Sequence, residues 1–168
     1  MSFLKKLNRL VRDMPNQKPV ALIKDIKAYN ESGGTNVDDQ VFTPRTLNTI
    51  QGESWFVSLS GTTGFILIPG TYEISYSSPM FRVGNSFSRL YDSTNSAEIV
   101  AGDSMYTENS HNGAISFGHA VVVIKETTTY QIHYGANSEK SGDGLGRENA
   151  YYSGSDSVFC QVKVRKLK

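Results

Sequence analysis

The sequence predicts an all-β protein built as an antiparallel β-sandwich. Fifteen Gly and many Ser, Thr and Asn dilute the helix formers, while nine Tyr and eight Phe supply side chains that strands favour. Short runs of alternating apolar and polar residues recur between turn signals, a pattern typical of a sandwich. No stretch after residue 19 shows helix periodicity. With 168 residues, we expect one domain with a short N-terminal extension.

The most regular strand pattern lies within residues 65–92. From 71 to 77, large apolar residues alternate with small or polar ones, which indicates a half-buried strand. Pro69 and Gly70 predict a type II turn before it, because proline presets φ and glycine supplies the positive φ that this turn requires. Ser78-Pro79 predicts the end of the strand. A further strand over 80–92 is predicted to be interrupted at Gly84-Asn85.

The other predicted strands follow at short intervals. They are 20–29, 41–50, 55–60, 64–68, 97–100, 115–125, 128–134 and 158–164. The polar segment 30–40 and the glycine-rich segment 138–146 predict loops, the second of them at one end of the sandwich.

The strand predicted at 115–125 has an unusual pattern, because residues 120–124 are apolar on both faces. The outer face of an antiparallel sandwich strand normally meets water. A subunit interface would account for the second apolar face, so Val121, Val122 and Val123 are candidate interface residues.

The N-terminal segment predicts a short amphipathic helix over residues 3–14, with an apolar stripe of Leu4, Leu7, Val11 and Met14. A helix of this length is marginal in water without a packing partner, so the stripe is a candidate virion anchor that docks on another protein. A membrane surface is the alternative partner for such a basic helix. The segment lacks the features of a secretory signal, and no run is long enough to span a membrane. The predicted division is 1–18 for anchor and linker and 19–168 for the β domain.

The charges are unevenly distributed, although the net charge is only +1. Basic residues concentrate at both ends of the chain, at Lys5, Lys6, Arg9, Arg12 and Lys18 and again at Lys163, Arg165, Lys166 and Lys168. The remainder is acidic, which argues against a nucleic-acid partner, since binding would need basic residues interleaved with exposed aromatics on one face. The single cysteine, Cys160, excludes an internal disulfide and favours a reducing cytoplasm as the place of synthesis.

No set of residues predicts catalysis, a cofactor or a metal site, and we expect a protein that is not an enzyme. His111, His119 and His133 lack metal-ligand spacing with Cys160. Residues 113–118 only approximate the turn that carries a nucleophilic serine, here Ser116. Two other sets of acidic residues are expected to be solvated in loops. The alternative for Asp143 and Glu139 is a calcium site, and the alternative for Asp38, Asp39 and Glu53 is the carboxylate pair of a glycosidase.

Several short motifs, in order and at consistent spacing over roughly residues 20–166, resemble a module of bacteriophage and cyanophage virion proteins. They are Arg45-Thr46-Leu47-Asn48-Thr49, Pro69-Gly70-Thr71-Tyr72, Ser78-Pro79, Arg89-Leu90-Tyr91, Gly102-Asp103-Ser104, Tyr130-Gln131-Ile132-His133, the glycine loop 142–146 and the strand 158–164. Met105 departs from this pattern, where an acidic residue would be expected. The family is similar to the tumour-necrosis-factor and complement globular-head superfamily. The resemblance implies a jelly roll that forms a homotrimer and occurs as a capsid decoration or a tail-fibre tip.

The resemblance implies a non-enzymatic virion structural protein, made in the host cytoplasm and located on the virion. A trimeric capsid decoration, or cement, protein is preferred, because only about eighteen residues precede the first strand whereas a fibre tip usually follows a long shaft. Its expected partners are itself and the major capsid protein or another virion protein. The alternative is a receptor-binding tail-fibre tip that contacts host surface glycan or protein. A depolymerase is a third hypothesis, and it would need a carboxylate pair that the sequence does not identify.

Overall fold

A computed structural model describes residues 18–37, 41–108, 112–148 and 154–168, and within these ranges every element is a β-strand. The described strands are β1 Val20–Lys27, β2 Thr43–Pro44, β3 Thr49–Gly52, β4 Val57–Ser60, β5 Gly64–Leu67, β6 Gly70–Phe81, β7 Gly84–Asp92, β8 Ala97–Ala101, β9 Met105–Thr107, β10 Gly113–Ile124, β11 Thr128–Ala136 and β12 Ser157–Lys166. The predicted all-β class is confirmed. The predicted N-terminal helix lies outside the described residues, and the division at 18/19 stays a prediction.

The strands form two antiparallel sheets that pack face to face. The first sheet has the order β10-β6-β12-β1-β3, and the second has the order β4-β5-β11-β7-β8, with β2 paired to β11 and β9 to β7. Most neighbours within a sheet are not consecutive in sequence, so the chain passes repeatedly between the sheets, as in a jelly roll. The predicted antiparallel sandwich is therefore confirmed.

The alternation in β6 builds the core. Tyr72, Ile74 and Tyr76 point between the sheets and are at most 3% exposed, where they meet buried side chains such as Ile132 of β11 and Val162 of β12. A second, smaller cluster lies toward the end of β6 and consists of Met80, Val83, Tyr134, Ala136 and Leu145. Burial of this apolar surface is the main favourable contribution to folding.

Two predictions about β6 are wrong. The strand does not end at Ser78-Pro79 but runs to Phe81, and its last residues pair only with β10, because β12 pairs with β6 no further than Ser77. Pro79 therefore has a neighbouring strand on one side only, and proline is tolerated at such an edge position of a sheet. Gly70 has a φ of 159°, so β6 starts there in extended backbone instead of a type II turn.

The interruption predicted in the strand over 80–92 is present, but it lies between Phe81 and Gly84, slightly before the predicted Gly84-Asn85. The chain turns at Arg82, whose φ is 60°, and Gly84, whose φ is 69°, and this turn moves it from the first sheet into the second. Glycine accommodates positive φ without the steric penalty of a side chain. The strand predicted over 41–50 is replaced by β2 and β3, which lie in different sheets.

The segment between β2 and β3 crosses the sandwich and carries a fully buried arginine. Arg45 donates hydrogen bonds to the carbonyl oxygens of Pro79 and Leu145, each at 2.9 Å. Burial lowers the pKa of Arg45 and raises the pKa of the neighbouring Cys160 thiol to about 11, so the thiol stays neutral. Arg45 thus joins the end of β6 to the glycine-rich loop.

The neighbours of Arg45 in the sequence hold a buried carboxylate. Asp25 is fully buried in β1, where it accepts a hydrogen bond from Thr46 Oγ1 at 3.0 Å and forms an ion pair with Lys27 at 3.3 Å. Asn48 Nδ2 lies 3.5 Å from the same carboxylate. The motif Arg45-Thr46-Leu47-Asn48 is therefore explained by internal structure, since its side chains satisfy buried polar groups and Leu47 fills the core.

The two ends of the sandwich differ in character. At one end, which we call the terminal end, Lys166 N donates to Pro19 O at 3.0 Å and Thr71 N donates to Lys168 O at 3.0 Å. The start of the described chain and its last residue therefore lie together. At the opposite or distal end, Phe81 N donates to Gly144 O, which ties the glycine-rich loop to the end of β6.

Candidate assembly surfaces

An apolar stripe runs along β10, the edge strand of the first sheet. Its outward side chains are 49%, 53%, 61% and 72% exposed at Ile115, Phe117, Val121 and Val123, respectively. The adjacent positions on β6 are polar, with Ser75 opposite His119 and Glu73 opposite Val121. We call these four apolar residues the β10 stripe. So many large apolar side chains on one edge strand would expose an unusual apolar patch in a monomer.

The three candidate interface valines do not share a face. Val121 and Val123 belong to the β10 stripe, whereas Val122 is half-buried and packs against the core. This division follows from the period of two along a strand. Ile115 and Phe117 extend the stripe toward the distal end, and the sequence reasoning missed them although they continue the same alternation.

A recess of about 600 Å³ lies beside the β10 stripe. Its lining includes Phe117 and His119 of β10, Ser75 and Ser77 of β6, and Lys163 of β12. Val100 and Ala101 of β8 also belong to the lining, so the apolar edge lies next to a recess of mixed polar and apolar character.

The terminal end carries an exposed apolar patch that the sequence reasoning also missed. Trp55 is 62% exposed and Ile68 is 37% exposed. Lys166 Nζ lies 5.6 Å from the centroid of the Trp55 ring and donates a hydrogen bond to the Pro69 carbonyl at 3.1 Å. Trp55 was predicted to begin a strand, but β4 begins at Val57. We call Trp55, Ile68 and Lys166 the terminal patch.

The candidate anchor residues Leu4, Leu7, Val11 and Met14 lie outside the described residues. The chain that follows them enters β1 through Pro19, whose carbonyl is bonded to the backbone of Lys166. The terminal patch is therefore at the end of the sandwich where β1 begins.

A third surface lies on the outer face of the second sheet, where Arg89 is stacked between two rings. Its guanidinium carbon lies 3.6 Å from the centroid of Phe42 and 4.6 Å from that of Tyr91. His133 stacks on Tyr91 at 4.5 Å, and its Nε2 is 3.0 Å from Gln131 Oε1. If Nε2–H donates to Gln131, then Nδ1 accepts from Arg89 Nε at 3.4 Å, and the imidazole is neutral.

Burial and then the nearby Arg89 charge lower the pKa of His133 to about 4. The unfolded chain therefore takes up a proton on this residue at higher pH than the folded chain does. We expect the free energy of unfolding to be highest above pH 6.5, the ordinary value, and to fall as the pH is lowered toward 4. In His133→Gln this fall should be smaller, as measured by urea unfolding at a series of pH values. Equal slopes in the two proteins would contradict the assignment.

The residues considered for chemistry are dispersed. His119 is exposed on the first sheet and His133 lies in the second, while His111, Asp38 and Asp39 are outside the described residues. Ser116 is buried, and its hydroxyl is hydrogen-bonded to Ser88 Oγ at 2.6 Å and to the Asp103 carbonyl at 2.8 Å. Glu53 and Glu139 are exposed.

The described residues offer neither a cluster of metal ligands nor a membrane-spanning helix. No group of three or more His, Cys, Asp or Glu side chains in the described ranges is arranged to hold a metal ion. The same ranges contain no helix with the length and apolar character needed to cross a membrane.

Solved structures share this fold. The globular domain of zebrafish complement 1qA protein matches with a TM-score of 0.54 and 14% identity, over 90% of this chain and 98% of that one. Murine APRIL matches with a TM-score of 0.56 and 8% identity, over 90% of this chain and 100% of that one. PRD1 vertex protein P5 matches with a TM-score of 0.56 and 10% identity, over 92% of this chain and 100% of that one. At these identities the likeness establishes the fold alone, which is a jelly-roll β-sandwich.

No protein-family model matches the chain, and no curated protein matches it. The sequence resemblance to a phage virion module therefore stays a prediction.

Proposed function

We propose that this protein is a non-enzymatic virion structural protein that forms a homotrimer and decorates a phage capsid as a cement protein. The observation that carries the proposal is the β10 stripe, which gives an edge strand of this jelly roll an apolar face with no partner within the described chain. The shared fold with a phage vertex protein supports the virion location, as does the sequence resemblance.

The first sheet offers both halves of a rotational contact. Ile115, Val121 and Val123 of the apolar edge do not line the recess, and only Phe117 belongs to both, so the edge of one subunit can enter the recess of the next. Such a heterologous contact makes a closed ring when the rotation closes. Each large apolar side chain that becomes fully buried contributes about 1.5–3 kcal/mol before ordering costs, and the stripe supplies four.

The terminal end is the proposed capsid-facing end. It carries the terminal patch and leads into residues 1–17, with the apolar stripe of Leu4, Leu7, Val11 and Met14. Exposed tryptophan is the residue type most enriched among the energetically dominant positions of protein interfaces. Lys18, Lys166 and Lys168 lie at this end, so an acidic capsid surface is the complementary partner.

Removal of residues 1–18 tests this orientation. We expect a chain beginning at Pro19 to stay folded and oligomeric but to lose binding in co-sedimentation with purified capsids. Leu7→Asp should weaken capsid binding more than Lys5→Ala and Lys6→Ala combined, because burial supplies the affinity and exposed charges mainly tune encounter. Trp55→Ala should also weaken it. Tyr106→Ala, at an aromatic residue 65% exposed near the distal end, is the matched control.

The proposed anchor would be rejected if the shortened chain bound capsids as well as the full chain does. The basic strand end from Lys163 to Lys168 would then be the next segment to test.

A receptor-binding tail-fibre tip is the second candidate. It is favoured by the distal end, which lies away from Pro19 and Lys168 and carries the glycine-rich loop that could contact a receptor. Imaging of virions with a label on this protein separates the two candidates. A lattice of label over the head supports decoration, whereas label at the tail supports a fibre tip.

A further inference from the structure

A second cavity, of about 650 Å³, opens on the outer face of the second sheet near the distal end. Its lining includes Phe42, Asn85, Phe87, Ser104, Met105 and Asn137. A volume of this size is in the range of pockets that bind small molecules. All of these residues belong to one subunit, so the cavity does not depend on assembly.

The apolar wall is formed by two phenylalanine rings. The centroids of Phe42 and Phe87 are 4.9 Å apart, with the ring planes at 83°, and Phe87 is 37% exposed. Gly135 also lines the cavity, and a Cβ there would be in ordinary van der Waals contact with Phe87 at 3.6 Å and with Phe42 at 3.7 Å. A side chain larger than alanine at position 135 would therefore take up part of the cavity beside the two rings.

The ring of Phe42 is held from its far side. Arg89 stacks on it at 3.6 Å and also lies 3.4 Å from Glu98, so the guanidinium is already engaged by a ring and a carboxylate. A cation on one ring face restricts the motion of Phe42 and gives the cavity a preformed wall.

The opposite rim is polar but uncharged. Asn137 Oδ1 accepts a hydrogen bond from the backbone N–H of Asn85 at 2.8 Å, which fixes the amide and leaves its NH₂ group as a donor for a ligand. Asn85 and Ser104 are exposed on the same rim. None of the residues that line the cavity is charged, so it does not favour an anionic ligand such as a nucleotide or phosphate.

We propose that this cavity binds a neutral saccharide. The aliphatic face of a pyranose ring can lie on the exposed aromatic wall, while its hydroxyl groups meet the amide and hydroxyl groups of the rim. The cavity lies toward the distal end, away from the proposed capsid-facing end, and a bound host-surface saccharide would be accessible on a decorated virion. The site goes beyond the structural role and stands if that role is wrong.

Saturation-transfer NMR on the full chain tests the proposal with four neutral probes, namely methyl glucoside, methyl galactoside, methyl mannoside and N-acetylglucosamine, and with glucuronate as an anionic probe. We expect at least one neutral probe to bind and glucuronate not to bind. Phe87→Ala should weaken the binding about tenfold, and Gly135→Val, which takes up part of the cavity beside the two rings, should abolish it. Trp55→Ala, which removes an exposed aromatic residue at the other end, should leave it unchanged.

A second measurement guards against a misfolded variant. In the unmodified protein, the bound neutral probe should shift the side-chain amide signals of Asn85 and Asn137. The proposal is overturned if no neutral probe binds, if glucuronate binds better than all of them, or if binding persists unchanged in Phe87→Ala without shifts of these two amides.

Discussion

Val121→Asp is expected to convert the oligomer into folded monomers. Val121 is 61% exposed on the β10 stripe, so the subunit itself can keep an aspartate there in water. Against a sister subunit, however, the carboxylate would lose its hydration without a partner, which costs several kcal/mol. Glu73 lies opposite on β6 but is already paired with Arg165 at 2.9 Å, which limits repulsion within the monomer. Light scattering gives the mass, and circular dichroism reports the fold.

Two further variants separate assembly from folding. Val122→Asp should lower the free energy of unfolding itself, because this side chain packs against the core. Val41→Asp places the same charge at a valine 59% exposed beside the second sheet and should change neither mass nor fold. An oligomer that persists in Val121→Asp would show that the β10 stripe is not the interface.

Arg45→Met is expected to lower the free energy of unfolding by at least about 2 kcal/mol. The variant keeps most of the buried volume but leaves the carbonyls of Pro79 and Leu145 without their donor, and each buried unsatisfied group costs about 1–3 kcal/mol. Buried ion pairs can sometimes be replaced by apolar residues without loss. That route is closed here, because the partners of Arg45 are backbone carbonyls that remain in the variant.

Urea unfolding at constant protein concentration measures the effect, since oligomerisation makes apparent stability depend on concentration. Arg147→Met is the matched control, because the Arg147 side chain is 57% exposed and its loss should change stability by no more than about 0.5 kcal/mol. Arg45→Lys should fall between the two, because one ammonium group cannot span both carbonyls. If Arg45→Met were as stable as the control, Arg45 would not be the link between β6 and the glycine-rich loop.

Local alternation in the sequence was sufficient to predict the all-β class, most strand positions and the apolar excess on β10. These features depend on which side of one strand a residue faces, and a period of two determines that directly. The prediction went wrong at the corners. Ser78-Pro79 carries the signal for a strand end, but proline is tolerated where a strand has a neighbour on one side only, and at Pro79 β12 has already ended.

Only the tertiary structure decided which surfaces exist. Trp55 and Lys166 are far apart in sequence and meet because the connection between β3 and β4 lies beside the end of β12. Phe42, Phe87 and Gly135 line one cavity because β7 and β11 are adjacent in the second sheet. The burial of Arg45 was likewise decided by the tertiary structure. From the sequence alone an arginine in a connecting segment is expected to be solvated, because its carbonyl partners are distant in the chain. The sequence by itself determined the faces of each strand, whereas contacts between distant strands depend on sheet order, which no local period encodes.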